Sequence, residues 1–332
     1  MIDNNKFTTL SKYDNDMIEK YKDLTNNAKL KIFKDQKLKS LDFIQTMNIR
    51  KLELEYCLNI IPKIESNTIQ QLKIEFCDIQ SVQNCQLENL LVLVIQNNYM
   101  QETETLMQEI IRFYQLKVLY LGRWSIDISP LSQMTGLTKL GLKKCELRGM
   151  QALRQLVNLV SLDLSYNKDI DITLLQYMIK LKQLSLISCG LVAIDALRPL
   201  VMLKELHIFF NSIVYISPIL ELKQLSTLYA EENKFQDVQI IQQHQNFEDF
   251  ILHSQLQPTQ QELLRANMMQ NINNPISSLK YIRKYFINLK VKQTIFKQKI
   301  TELLQKQYCT QQAFIVNSVC LYQKMNEFDN IQ

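Results

Sequence analysis

The sequence predicts an α/β solenoid: a horseshoe with a concave parallel β-sheet, followed by a C-terminal α-helical segment. Three observations predict it. Apolar residues recur every 22 residues between Leu137 and Leu225. Each unit splits into a half with period-2 alternation and a half with 3-to-4 spacing. Only five Gly and six Pro stand in 332 residues, which leaves little for long loops. A repeat of this size cannot bury its apolar face alone, so neighbouring units must stack.

The clearest unit runs Leu203, Leu206, Ile208, Asn211, Ile213, Ile216, Ile219 and Leu222, and Leu225 restarts it. Leu181, Leu184, Leu186, Cys189, Leu191, Ile194, Leu197 and Leu200 keep the same offsets, as do Leu137, Leu140, Leu142, Cys145, Leu147, Met150, Leu153 and Leu156. Counted from the first leucine-like residue, units begin at Ile49, Ile69, Leu90, Leu116, Leu137, Leu159, Leu181, Leu203, Leu225 and Phe247. Leu30, Ile32, Leu38, Leu41 and Phe43 form a degenerate unit before them. The unit from Leu90 is 26 residues long, and its extra residues around Glu102 to Met107 predict a bulge on the convex or lateral side.

Within a unit, period-2 alternation makes the first half a short strand with positions four and six inward and positions five and seven outward. The second half suits a helical or 3₁₀ turn, and Pro130, Pro199 and Pro218 lie there, where Pro fits a first turn. At the ends, Asp16 to Tyr21 with Leu24 reads as a short amphipathic helix, and Thr259 with Glu262 forms a capping box after Pro258. Ile282, Phe286, Leu289, Phe296, Ile300 and Leu303 make a heptad-like stripe, with a second at Phe314, Leu321, Met325 and Phe328. The chain therefore divides into an N-terminal helical cap over 1–29, a solenoid of about ten units over 30–256 and C-terminal helices over 257–332, as a helical hairpin or short coiled coil.

These motifs resemble the leucine-rich repeat family over roughly Leu30 to Leu252. The 22-residue form is similar to the SDS22-like class, seen in a regulatory subunit of protein phosphatase 1. Ile126 to Leu142 also resembles internalin repeats. In that family the ninth position turns inward and its side chain satisfies backbone groups at the bend after the strand. Here it reads Cys57, Cys77, Asn98, Trp124, Cys145, Asn167, Cys189, Asn211 and Asn233. Asn does this by hydrogen bonding, and a small buried Cys can replace it. The cysteines are thus expected to be structural, with no metal or redox role. Trp124 is too large for the pattern, so either the bend widens around the indole or the register shifts and Trp124 reaches the surface.

The same phase exposes one face. Positions five, seven and eight include Tyr120 and Arg123, then Lys143 and Lys144, then Asp163 and Tyr166. Further along come His207, Phe209 and Phe210, then Tyr229, Glu231 and Glu232. Phe209 and Phe210 beside His207 and Tyr229 are expected to form an exposed aromatic cluster, of the residue types that anchor protein partners. Cover by the C-terminal helices, or a locally irregular strand, is the other reading of the same rings. The resemblance implies a phosphatase catalytic subunit as the narrower identity of the partner.

Other classes find less support. Residues 256–332 carry ten Lys+Arg against four Asp+Glu, while the whole chain is only +5, so the basic excess reads as a solvated helix surface and nucleic acid is not expected. No phosphate loop, HExxH or CxxC motif occurs, and His207, His244 and His253 sit on different repeats, so no enzyme and no cofactor are expected. The apolar runs fall short of a membrane span, the start is polar, and no Asn-x-Ser/Thr sequon occurs. A reduced cytoplasmic location follows, with the nucleus left open. The expectation is a non-enzymatic scaffold holding a protein partner on the concave face. Its alternative is a structural protein that oligomerises through its C-terminal helices.

Overall fold

The structure, a computed structural model, describes residues 7–10, 28–33, 41–57, 63–77, 79, 81–96, 98, 104–237, 240 and 249–251. The chain divides into two compact units, Met1–Asn273 and Asn274–Gln332, and the second lies wholly outside the described residues.

Leucine-like residues at positions four and six bury one side of each strand, and the register stacks them. Leu140 aligns with Leu162, Leu162 with Leu184, Leu184 with Leu206 and Leu206 with Leu228. All are buried, and each contributes about 1.5–3 kcal/mol. The result is one parallel sheet of twelve strands. They are Phe7–Leu10, Ala28–Phe33, Ile49–Glu55, Gln71–Glu75, Val92–Gln96, Val118–Gly122, Lys139–Lys143, Ser161–Asp163, Gln183–Ser185, Glu205–His207, Thr227–Tyr229 and Asp249–Ile251. Parallel neighbours need a crossover between them, and the second half of each unit supplies it.

Among the described residues that half is a full 3₁₀ turn in six units, at Asp42–Thr46, Ser129–Gln133, Met150–Gln155, Ile172–Tyr177, Asp195–Leu197 and Ser217–Glu221. Leu131, Leu153, Leu175, Leu197 and Ile219 recur at equal spacing in these turns and are fully buried, closing the core from the convex side. Pro130 and Pro218 sit in the first turn as expected. Pro199 does not: it follows Asp195–Leu197, where its missing N–H interrupts no helical bond. The sheet is therefore an α/β solenoid of horseshoe type, with the strands on one side and the turns on the other.

The long unit departs from a simple bulge. Its extra residues form a short helix, Glu104–Ile110, whose Leu106, Met107 and Ile110 are fully buried. Glu109 anchors the helix to an earlier unit by accepting from the Ser81 hydroxyl at 2.8 Å and the Val82 N–H at 2.6 Å. At the N-terminus, the strand Phe7–Leu10 pairs with Ala28–Phe33 inside the stretch expected to be a helical cap. The helix expected at Asp16 to Tyr21 and the C-terminal helices over 257–332 lie outside the described residues. Among the described residues no helix is long and apolar enough to cross a membrane.

Candidate partner-binding face

Among the described residues, the face is built by a two-residue bend repeated at the end of eight strands. Position nine turns into the core and position eight stays outside. Asn167 shows the inner half: its Oδ1 accepts from Cys145 N–H at 2.6 Å, and its Nδ2 donates to the Leu142 and Leu164 carbonyls at 2.7 Å each. Asn98, Asn211 and Asn233 repeat this, taking the N–H groups of Cys77, Cys189 and Ile213. Cys replaces half of it. The Cys77 and Cys189 thiols donate to the Leu54 and Leu164 carbonyls at 3.5 and 3.3 Å. Burial pushes the Cys145 thiol up, Cys189 to about 11 and Cys85 to about 12, while Cys77 is raised chiefly by its hydrogen bond with Cys57. These are neutral packing groups at physiological pH.

Trp124 is resolved in favour of the widened bend. It is buried, and its indole N–H donates to the Asn98 carbonyl at 3.1 Å, so the ring reaches back to the asparagine of the preceding unit.

The outer half has a feature that the alternating pattern alone does not show. Tyr56, Phe76, Arg123, Lys144, Tyr166, Ser188, Phe210 and Glu232 all stand at position eight with φ between 50° and 69°. The left-handed turn aims each N–H at a carbonyl of the next strand: Tyr56 to Glu75 at 3.1 Å, Lys144 to Ser165 at 2.8 Å, Tyr166 to Ile187 at 2.7 Å. For residues with a Cβ this conformation costs roughly 1–2 kcal/mol. The reading of a locally irregular strand at Phe210 therefore gives way, because its φ of 56° is the rule at this position.

In the middle of the face the expected residues come together. The Tyr120 ring lies across Gly141, where a Cβ would collide with it, and its hydroxyl reaches Ser161 on the strand beyond. Burial raises the Tyr120 phenol pKa, and the Asp163 charge adds to it. Asp163 is turned to its own bend, accepting from Ser165 N–H at 2.9 Å. Ser165, expected to face outward, is fully buried and shares a hydrogen bond with the Ser185 hydroxyl at 2.7 Å. Arg123 N–H donates to the Lys143 carbonyl at 3.2 Å, which sets Arg123, Lys143 and Lys144 side by side. All three side chains are exposed, and Lys143 stands 5.0 Å from the centre of the Tyr166 ring.

Toward the C-terminal end the four expected rings form two pairs. His207 packs on Tyr229 at 4.8 Å between centres, and Phe209 meets Phe210 edge-on at 5.5 Å. Phe209 is half-buried and Phe210 is 56% exposed. His207 also pairs with Glu205 at 2.8 Å, an acid that the sequence reading did not single out. Glu232 is exposed, while Glu231 is half-buried and its carbonyl accepts from Phe210 N–H at 3.0 Å. Cover of these rings by the C-terminal helices, and assembly through those helices, concern residues outside the described ones.

Sequence reasoning passed over the N-terminal strands, where Tyr56 and Phe76 stack at 4.7 Å and Phe33 meets Tyr56 edge-on at 5.7 Å. Beside them runs an ion-pair zipper: Lys31 with Glu55, Lys51 with Glu53, and Lys73 with Glu75, each at 2.8 Å. The signal was present as recurring aromatics at position eight, already placed on this face by the sequence; their contact across adjacent strands is what the structure adds. Among the described residues, no group of three or more His, Cys, Asp or Glu is placed to hold a metal ion.

Among solved structures, the chain is similar to an internalin InlF of Listeria monocytogenes, with TM-score 0.54 and 18% identity over 69% of this chain and 74% of that one. The fold is that of the leucine-rich repeat proteins. Internalin C2 of the same organism gives TM-score 0.49 and 20% identity over 56% of this chain and 81% of that one. InlJ of Listeria monocytogenes, whose functional domain includes a cysteine ladder, gives 0.47 and 17% over 67% of this chain and 52% of that one. No family model matches the chain, and no curated protein matches it by sequence.

Proposed function

We propose that this chain is a non-enzymatic scaffold that holds a protein partner on the concave sheet of its leucine-rich repeats. One observation carries the reading. Tyr56, Phe76, Tyr166 and Phe210 are 41%, 38%, 42% and 56% exposed, and all four occupy the left-handed position eight. Gly or Asn takes this backbone conformation more cheaply, and a large ring outside the core adds little to it. Aromatic rings held there by the repeat are suited to enter a partner, since Tyr and Trp with Arg dominate interface hot spots. Phe209, Phe210 and Tyr229 are the anchors of the C-terminal part of the face.

The narrower form of the proposal is a protein phosphatase 1 catalytic subunit as the partner; its support is the resemblance of the 22-residue repeat to the SDS22-like class and the presence of aromatic and acidic residues on the same face. Among the described residues, five buried cysteines are thiols outside any disulfide, which supports a reducing, cytoplasmic setting.

Affinity capture with the full chain, followed by titration of the captured partner, tests the first form. Phe209→Ala with Phe210→Ala weakens binding by at least about tenfold with circular dichroism unchanged; equal affinity overturns it. The narrower form is dropped if purified phosphatase 1 catalytic subunit fails to co-elute with the chain in gel filtration.

A further inference from the structure

We infer that the middle of the concave face, at Arg123, Lys143 and Lys144, receives an acidic peptide segment of the partner, rich in Glu or Asp. This inference rests on the scaffold reading and specifies the chemistry of what the scaffold holds.

The argument is one of charge left over. On the N-terminal strands the face neutralises itself: Lys31, Lys51 and Lys73 each lie 2.8 Å from a glutamate, and Glu55 also lies 3.7 Å from Lys73. The pairing works because acid and base alternate at matching positions of adjacent strands, Lys31 opposite Glu53 and Glu53 opposite Lys73. In the middle the alternation stops. Position seven reads Gly122, Lys143, Ser165 and position eight reads Arg123, Lys144, Tyr166, so three cations adjoin with no acid between them. Among the described residues none of the three has an ion-pair partner. The nearby Asp163 is held by Ser165 N–H, and its charge acts on Tyr120.

The shape suits an extended chain. Gly122 and Gly141 remove two side chains from adjacent strands; the Tyr120 ring lies over Gly141, and the Gln96 side chain borders Gly122. Gly122 is buried at the foot of exposed Arg123 and Lys143, which leaves a low floor beside the cations. Tyr166, 42% exposed with Lys143 against its ring, forms one wall. Strands lie about 4.8 Å apart, so the cations span one strand spacing and meet carboxylates on alternate residues of an extended segment, about 6.6 Å apart. Both Arg123 and Lys144 hold a left-handed backbone whose N–H bonds to the next unit, and their side chains stay outside the core. Unpaired like charges on one face repel each other, and an acidic segment removes that repulsion.

Fluorescence anisotropy with labelled hexaglutamate, hexalysine and an oligouridylate RNA as probes, on the full chain at low salt, tests the inference. Hexaglutamate binds, hexalysine does not, and affinity falls as salt rises. Lys143→Glu with Lys144→Glu weakens hexaglutamate binding by at least about tenfold. Lys182→Glu with Lys204→Glu, an equal charge change at other exposed lysines, leaves it within about twofold. Equal loss in both variants, or tighter binding of the RNA than of hexaglutamate, overturns the assignment. The partner captured by the chain separates this inference from the scaffold reading. If Lys143→Glu with Lys144→Glu leaves that partner bound while Phe209→Ala with Phe210→Ala releases it, the acidic-segment assignment falls and the scaffold reading stands. If neither variant changes capture, both fall.

Discussion

The N-terminal strands and the middle of the sheet use one repeat to make two different surfaces. Around Lys31 to Phe76 the cations Lys31, Lys51 and Lys73 each find a glutamate and the rings pack on each other, so this part of the face is satisfied from within. Around Arg123 to Tyr166 the cations are exposed and the rings pack on glycine or lysine. Beneath both runs the same inner ladder at position nine, made by Asn98 on one side and Asn167 on the other. The comparison teaches that the core of a solenoid is indifferent to its face. Surface chemistry is set strand by strand, by whether adjacent units carry complementary or like residues at positions five, seven and eight.

The largest test is alkaline. The buried thiols have folded pKa values above their ordinary 9.0, so the stability they contribute is whole at neutral pH and is lost as pH climbs through the folded values. With Cys189 near 11 and Cys85 near 12, melting temperatures should fall progressively from the ordinary thiol value of 9.0 up to those two values. Pulsed alkylation read by mass spectrometry should label Cys189 at lower pH than Cys85. Simultaneous labelling would mean that the two ends of the array open as one.

Next comes the shared ladder. Asn98→Ala and Asn167→Ala each strand a buried N–H and two carbonyls, and each should cost about 3 kcal/mol in chemical unfolding. A gap of more than about 1 kcal/mol between them would show that the interior is not common to both regions. A smaller effect, about 1–3 kcal/mol, is expected for Gly141→Val, because the new side chain displaces the Tyr120 ring. Adding Tyr120→Ala should recover most of it, and failure to do so places the cost in the backbone instead.

The faces themselves give the smallest effects. A double-mutant cycle on Tyr56 and Phe76 should return a coupling of about 1 kcal/mol for their stacked rings, whereas Phe210→Asn should leave stability unchanged or raise it. Glu55→Gln should cost about 0.5–1 kcal/mol and lose that effect in high salt, while Lys143→Gln stays within about 0.5 kcal/mol of the parent. A destabilised Phe210→Asn, or a costly Lys143→Gln, would erase the distinction between a closed region and an open one.

Much of the architecture could be read directly from residue order. The spacing of Leu140, Leu162, Leu184 and Leu206 sets which side of each strand is buried, because a parallel stack admits only the register that buries them all. Asn and Cys at position nine were legible for a similar reason, being small groups able to serve a buried bend. The seven-residue helix in the long unit was less so: Leu106, Met107 and Ile110 are too few to distinguish a helix from a loop before their burial is known. On the face, Arg123, Lys143, Lys144, Tyr166 and Phe210 are exposed as the alternation implies, whereas Ser165 turned inward and the contacts between the residues were not legible.

Residue order alone determined the solenoid, the phase of its strands and the identity of its inner ladder, since those follow from which side chains avoid water at a fixed period. Tertiary structure alone decided the rest. It buried Trp124 and Ser165, turned position eight left-handed, paired Lys31 with Glu55, and laid Tyr120 over Gly141 to reach Ser161. Those outcomes depend on where side chains from units some 20 residues apart come to rest. Their energies are each about 1 kcal/mol, too small and too dependent on neighbours for a periodic pattern to record.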